Sequence, residues 1–215
     1  MTASSGQGRH VTLLVVLLLG LLVSGWQPHE RGTWLLEVFP VIVLMPLLWA
    51  TRRRFPLTPL LTLLVGLHGL VLMLGGAYTY ARVPLGFVLQ DLLHLARNPY
   101  DRIGHFMQGF VPAMAAREIL ARGGYLHGRA MARFLVVCVV LAVSATYELI
   151  EWLTAVILGA GAVDFLGTQG DPWDTQWDMF MALVGASTAL LVLSRWHDRQ
   201  LAALPVASVA QPFQH

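Results

Sequence analysis

Five acidic residues and one histidine sit where an apolar chain has least reason to keep them. Asp101 and His105 are four residues apart, as are Asp174 and Asp178, while Glu148 and Glu151 are three apart, and each pair lies at or inside a long apolar stretch. Spacings of three and four put both members of a pair on one helix face. An ionisable side chain within a membrane span costs about 2.5–3.5 kcal/mol on insertion scales, so its presence is a functional hypothesis by default. Two kinds of chemistry use this set. Carboxylates suit Mg, Mn or Ca, and one added imidazole also admits Zn; a histidine oriented by a carboxylate is equally a general acid or base. His105, Glu148 and Asp178 are therefore the candidate catalytic residues. Asp101, His105, Glu148, Glu151, Asp174 and Asp178 are the candidate ligands of a divalent metal, the one cofactor these residue types suggest.

Two matching segments must position this set. Asn98-Pro99-Tyr100-Asp101-Arg102-Ile103-Gly104-His105 has the form of Asp171-Pro172-Trp173-Asp174-Thr175-Gln176-Trp177-Asp178, and each runs directly into apolar sequence. Each copy places an acceptor at the N-cap, proline at N1, an aromatic next and an aspartate at N3. His105 and Asp178 come one turn deeper, which capping alone does not require. The bland readings stay open beside the sharp one: caps for Asn98, Asp101, Asp171 and Asp174, an interhelical clasp for His105 and Asp178, and pairing with Arg102 for Glu148 or Glu151. Gly104, Gly109, Gly185 and Ala186 read as close-packing positions.

Composition decides the class. Of 215 residues 56% are hydrophobic and 12% charged, with a mean hydropathy of +0.64. The apolar runs Val11 to Trp26, Thr33 to Ala50, Pro56 to Tyr80, Ile103 to Leu120, Met131 to Leu158 and Met179 to Leu193 mostly approach or exceed the roughly 20 residues that cross a bilayer. An all-α, polytopic transmembrane bundle of about six spans follows, as one membrane domain over 1–200 with a flexible cytoplasmic tail over 201–215. The first run is the weakest and ends in Val23-Ser24-Gly25, a pattern similar to a signal-peptidase site, so its retention stays open. The segment Pro84 to Ala96 spaces Gln90, Asp91 and His94 among apolar residues as an amphipathic surface helix would.

Orientation comes from arginine, since the chain contains no lysine. Arg9, Arg52 to Arg54, Arg117, Arg122, Arg129, Arg133, Arg195 and Arg199 flank one set of span ends, where only Glu118 and Asp198 oppose them. Positive charge in short loops is retained in the cytoplasm, which places both termini there and the carboxylate-rich ends outside. The basic residues are thus topology signals spread over several loops, not a nucleic-acid surface. Trp26, Trp34, Tyr78, Tyr80, Tyr100, Trp173 and Trp177 read as an outer aromatic belt. Cys138 alone supports neither a disulfide framework nor a thiol metal site.

The segments Asp101 to Phe106, Glu148 to Trp152 and Gly170 to Met179 resemble bacterial inner-membrane proteins of the YjdF type, a domain of unknown function, and the likeness extends over essentially the whole chain. It implies a multi-pass inner-membrane location and a helical bundle, with no established reaction. More remotely, an Asp-Arg-x-x-His-Phe helix start, a mid-helix glutamate and an aspartate seven before Gly185 are similar to the VanZ-like family; that pattern expects asparagine where this chain has Ala182.

HExxH, GxSxG, Walker and GxGxxG arrangements are absent from the sequence. Three classes of function fit what remains: an enzyme acting on a lipid-linked or cell-envelope substrate, a proton- or cation-coupled transporter, and a scaffold held by a polar clasp. The bilayer is the one partner the composition names, and nothing in the sequence sets an oligomeric state. A single pseudo-repeat without a matched pair of broken helices argues against a standard transporter. The arginine asymmetry makes a direct prediction. Cysteines introduced at Asp91 and Asp164 react with a membrane-impermeant thiol reagent on intact cells, whereas one at Arg53 reacts only after lysis; the reverse pattern would invert the topology.

Overall fold

The computed structural model describes residues 3–124, 128–159 and 168–204. Asp164 and the tail from 205 onward lie outside the described residues, as do parts of the 121–130 and 159–176 connections. Among the described residues all regular structure is helical: α1 (Ala3–Trp26), α2 (Arg31–Thr51), α3 (Pro59–Tyr78), α4 (Pro84–Leu93), α5 (Tyr100–Gly123), α6 (Arg129–Leu158) and α7 (Asp174–Ala202).

Five of these are long and apolar enough to cross a membrane, within α1, α2, α3, α6 and α7. The expected span count of about six depends on α5. At 24 residues it is about 36 Å long, sufficient to span, but Asp101, Arg102, His105, Gln108, Arg117, Glu118 and Arg122 make it too polar to qualify on apolarity. Packing supplies what composition lacks, because α5 lies against α3, α6 and α7 and keeps Asp101, His105, Glu118 and Arg122 buried. Helices α1, α2 and α3 pack on one another, and α3 joins them to the α5–α6–α7 group. Outward faces carry large apolar side chains such as Leu22, Phe39, Ile157 and Leu191, all more than half exposed, as a surface that meets lipid requires.

Helix ends follow local chemistry. Glu30 caps α2, its carboxylate accepting from the backbone N–H groups of Thr33 and Gly32; those two bonds hold the carboxyl below the usual glutamate range. Thr58 caps α3, with Pro59 at its first position, where a missing N–H costs nothing. The expected surface helix is present as α4, begun by Pro84 and ended by His94 in the left-handed region.

Helices α5 and α7 start from the same end and pack backbone to backbone. A Cβ on Gly109 would collide with the carbonyl of Ala182, and one on Gly185 with the carbonyl of Phe106. Reciprocal small residues permit this approach, and dispersion between the closely apposed backbones then holds it. Ala182, Ala186 and Ala189 complete the dry seam, each fully buried.

The arginine-rich end is tied by a network that charge counting does not reveal. Glu118 accepts from Thr58 N at 3.1 Å, Thr58 Oγ1 at 2.7 Å and Arg122 at 3.0 Å, and lies 2.9 Å from His197 Nε2. Arg117 reaches His197 Nδ1 at 2.9 Å and also pairs with Asp198. With Arg117 donating to Nδ1, the His197 Nε2–H donates to Glu118, and both carboxylate oxygens are satisfied. Gln200 Oε1 accepts from Leu60 N at 2.8 Å and His10 Nε2 from Leu57 N at 3.3 Å. Thus two arginines read from sequence as topology signals also join elements: Arg122 binds the 52–58 connection to α5 through the Pro56 carbonyl, and Arg117 binds α5 to α7.

The seam predicts the cost of widening it. Gly109→Ala lowers unfolding stability in detergent by about 1–3 kcal/mol, the usual penalty for overpacking, although alanine is the better helix former. Gly8→Ala, with open space around it, leaves melting unchanged or slightly raised.

Candidate functional site

The two matching segments lead into two helices, α5 beginning at Tyr100 and α7 at Asp174, one position later in the repeat. Asn98 Oδ1 accepts from Tyr100 N at 3.0 Å, and Asp171 Oδ1 from Trp173 N at 2.9 Å, a turn bonded by its own side chain ahead of each helix. The N-caps themselves are Pro99 and Trp173, neither with a side-chain cap bond, so the caps expected at Asn98 and Asp171, with proline at N1, fall one and two residues early. They also clasp one another. Gln169 and Asn98 exchange two hydrogen bonds, Asn98 N to Gln169 Oε1 at 3.2 Å and Gln169 Nε2 to Asn98 O at 3.0 Å. Arg97 donates to the Thr168 carbonyl at 2.6 Å, and Asn98 Nδ2 to the Val83 carbonyl at 3.1 Å. The clasp holds the two N-termini level, so Asp101 and Asp174, then His105 and Asp178, come to corresponding heights.

Below the clasp the side chains converge. One ligand atom from each of Asp101, His105 and Asp178 lies within 4.8 Å of the others. His105 Nε2 is 3.5 Å from Asp101 Oδ1 and 3.9 Å from Asp178 Oδ2. Its Nδ1 is 3.1 Å from Gln108 Oε1 and 3.9 Å from Glu148 Oε1. Glu151, one turn beyond Glu148 on α6, lines an adjoining cavity. Asp174 is drawn to Arg97, at 2.6 Å. All six acidic and histidine candidates are buried, at 2–9% exposure.

The cations differ from expectation. Arg102, considered as a partner for Glu148 or Glu151, bonds instead to Asp171 at 3.0 Å and lies over the Trp177 ring at 5.0 Å. Arg97 serves the cluster, reaching Asp174, Asp101 at 3.7 Å and Asp171 at 3.8 Å. Arg97 precedes the first matching segment in a short connection, where an arginine looks like one more loop charge; its one signal in the sequence is its place four residues before Asp101.

The adjoining cavity has a volume of about 150 Å³ and is lined in part by Glu37, His68, Tyr80, His105, Gln108 and Glu151. Tyr147 donates to Glu37 at 3.4 Å. His68, on the apolar helix α3, faces this cavity with Nε2 unbonded. Tyr80 and Tyr100 depart from the aromatic belt, being 5% and 2% exposed. Their rings meet edge-on at 5.8 Å, and Tyr100 donates to the Val71 carbonyl. Tyr80 occupies space left by Gly75 and Gly104, where a Cβ would strike its ring. Gly104 therefore packs as expected, against an aromatic ring.

Two features show what the arrangement can do. First, acids outnumber cations: among the described residues Asp101, Asp174, Asp178, Glu148 and Glu151 face only Arg97 and, when it is protonated, His105 at close range, so protons or a further cation must share the site. Second, Asp101 Oδ2, Asp178 Oδ1 and Glu148 Oε1 are buried without a hydrogen-bond donor. Orphaned buried oxygens cost about 1–3 kcal/mol each when unsatisfied.

Comparison with known proteins fits these observations. The family described as predicted membrane protein (DUF2238) matches residues 9–199. The inner membrane protein YjdF of Escherichia coli (strain K12) is 60% identical over 190 residues, 88% of this chain and 91% of that relative. The chain belongs to the DUF2238 family of predicted membrane proteins. It is a multi-pass inner-membrane protein of the YjdF type, and neither the family description nor the relative's name assigns a molecular activity. No solved structure matches.

Arg97 provides a test of the electrostatic account. Arg97→Ala leaves Asp174 and Asp101 buried beside one another without their guanidinium and lowers stability by about 3 kcal/mol, the scale for breaking a buried pair from one side. Thermal unfolding in detergent measures it; an unchanged midpoint would mean the carboxylates are neutralised without Arg97.

Proposed function

We propose that Asp101, His105 and Asp178 hold a divalent cation, and that this DUF2238 protein uses the site, from the outer face of the inner membrane, on a lipid-linked or cell-envelope substrate. One observation carries the reading. Gln108 Oε1 accepts from His105 Nδ1, so in the neutral ring the Nε2 lone pair points toward Asp101 and Asp178, and three acceptors facing one another need a cation or a proton between them. The separations of 3.5 and 3.9 Å suit ligands of one ion, since bonds of about 2.0–2.2 Å set neighbouring ligands roughly 3–4.4 Å apart.

The remaining candidates take supporting parts. Glu148, its Oε1 without a donor, stands next to the three ligands as the general base, or as a fourth ligand. Asp174 is held by Arg97 and positions the helix start, while Glu151 faces the cavity that would admit a reacting group. A bound divalent ion supplies Lewis acidity and an activated water. In a metal-free variant of the same chemistry, His105 is the base and Asp178 orients it.

A relay of protons or cations is the second reading, favoured by one feature: the cavity carries Glu37, His68 and Glu151 beside Asp101 and His105, and titratable groups in series are what a relay uses.

Metal binding and phenotype separate these readings. Purified protein dialysed against Mn²⁺, Zn²⁺, Mg²⁺ or Ca²⁺ retains about one equivalent of at least one ion. His105→Asn and Asp178→Asn weaken that affinity by ten-fold or more, whereas Glu148→Gln retains metal and abolishes whatever phenotype the parent complements. Absence of binding by the parent, together with full complementation by His105→Asn and Glu148→Gln, would leave the cluster as a clasp. In that case Glu148→Leu costs about 1–3 kcal/mol of stability through the partners it leaves unpaired.

A further inference from the structure

At the arginine-rich end, far along α5 from the acidic cluster, α2, α3, α5 and the 52–58 connection enclose a second and larger pocket, of about 530 Å³. Its walls are apolar, built from Leu44, Leu48, Leu61, Val65, Ala115 and Ile119, and no carboxylate lines it among the described residues. Leu47 and Ile119, 56% and 52% exposed, leave one side open laterally. Water would find few polar partners in such a space, whereas the surrounding bilayer offers hydrocarbon at that same lateral opening.

The polar end of the pocket is cationic. Arg122 lies 3.5 Å over the Phe55 ring and donates to the Pro56 carbonyl at 2.8 Å while pairing with Glu118, so its guanidinium forms a fixed wall. Arg54 lines the mouth and is exposed, as is Arg53 beside it. Arg52 stacks on Trp49 at 3.6 Å, the pairing of basic and aromatic side chains that marks an interface. An apolar slot open to the bilayer beneath a row of arginines is complementary to one molecule: an amphiphile with an acyl tail and a negative head.

We propose that this pocket is a binding site for an anionic phospholipid, one acyl chain seated between α2, α3 and α5 and the headgroup phosphate against Arg54. The tail contributes by burying apolar area, and the head by the attraction of a basic side chain to an anionic lipid, about five-fold in affinity for each arginine. The pocket shares no lining residue with the acidic cavity, so the two sites stand or fall separately. Its position against the Thr58–Glu118 anchorage makes the bound lipid a brace for the connection between α2 and α3.

The test uses the full chain in nanodiscs of phosphatidylcholine with or without phosphatidylglycerol, read by thermal unfolding and by native mass spectrometry of retained lipid. The parent retains one phosphatidylglycerol in preference to phosphatidylcholine and melts higher when it is present. Arg54→Gln, an exposed change that leaves packing intact, reduces the preference about five-fold. Ala115→Leu fills the slot and abolishes retention, and Ile119→Gln, on the open side, repeats the loss should the first variant fold poorly. Equal retention of both lipids by the parent would overturn the proposal. So would loss of preference in Arg54→Gln with retention unaltered in both Ala115→Leu and Ile119→Gln, because the lipid would then be bound by surface charge alone.

Discussion

The close apposition of α5 and α7 is the constraint on which the rest of the molecule depends. Gly109 faces the Ala182 carbonyl and Gly185 the Phe106 carbonyl, so the two axes cannot approach any other way without losing contact. At one end this apposition brings His105 against Asp178; at the other it brings Glu118 against His197. A polar helix such as α5 tolerates a membrane interior only if its polar side chains meet partners, and the small-residue seam is what brings those partners within reach.

The two ends use the same contact to opposite effect. Around Glu118 the donors are complete: two from Thr58, one from Arg122 and one from His197. A fully satisfied buried network rigidifies its surroundings and offers nothing to a ligand. Around His105 acceptors predominate, and oxygens of Asp101, Asp178 and Glu148 lack donors. That imbalance, rather than burial, distinguishes a candidate site from a structural clasp. Buried ionisable groups occur at both ends, and only one set is left needing a cation or protons.

Similar helix starts give the acidic end its precision. The side-chain turns at Asn98 and Asp171 are local, yet the reciprocal bonds between Asn98 and Gln169 and the reach of Arg97 to Thr168 and Asp174 couple the two starts. Two helices that begin in register and then touch at Gly109 and Gly185 have no freedom to slide. Side chains at equivalent heights consequently meet, which is what a constellation of ligands or an acid–base pair needs.

Much of this was legible in the residues. Hydropathy carried the helical membrane class, proline and cap residues carried the starts of α3 and α4, and the matched spacing of Asp101–His105 and Asp174–Asp178 picked out Asp101, His105 and Asp178, which converge. Those features are periodic or local, and so are written along one chain. Tertiary structure alone decided pairing: Arg97 rather than Arg102 beside the cluster, Tyr80 and Tyr100 packed inside rather than in the belt, His68 turned to a cavity, and Glu118 joined to Thr58 and His197 across 60 and 79 residues. It also decided how α5 is accommodated, since its apolarity falls short and its burial comes from neighbours. The physical reason is common to all of these. Local preferences depend on bonds that a residue makes with its own helix, whereas the partner of a buried charge is whichever group the packing of distant helices brings within about 4 Å.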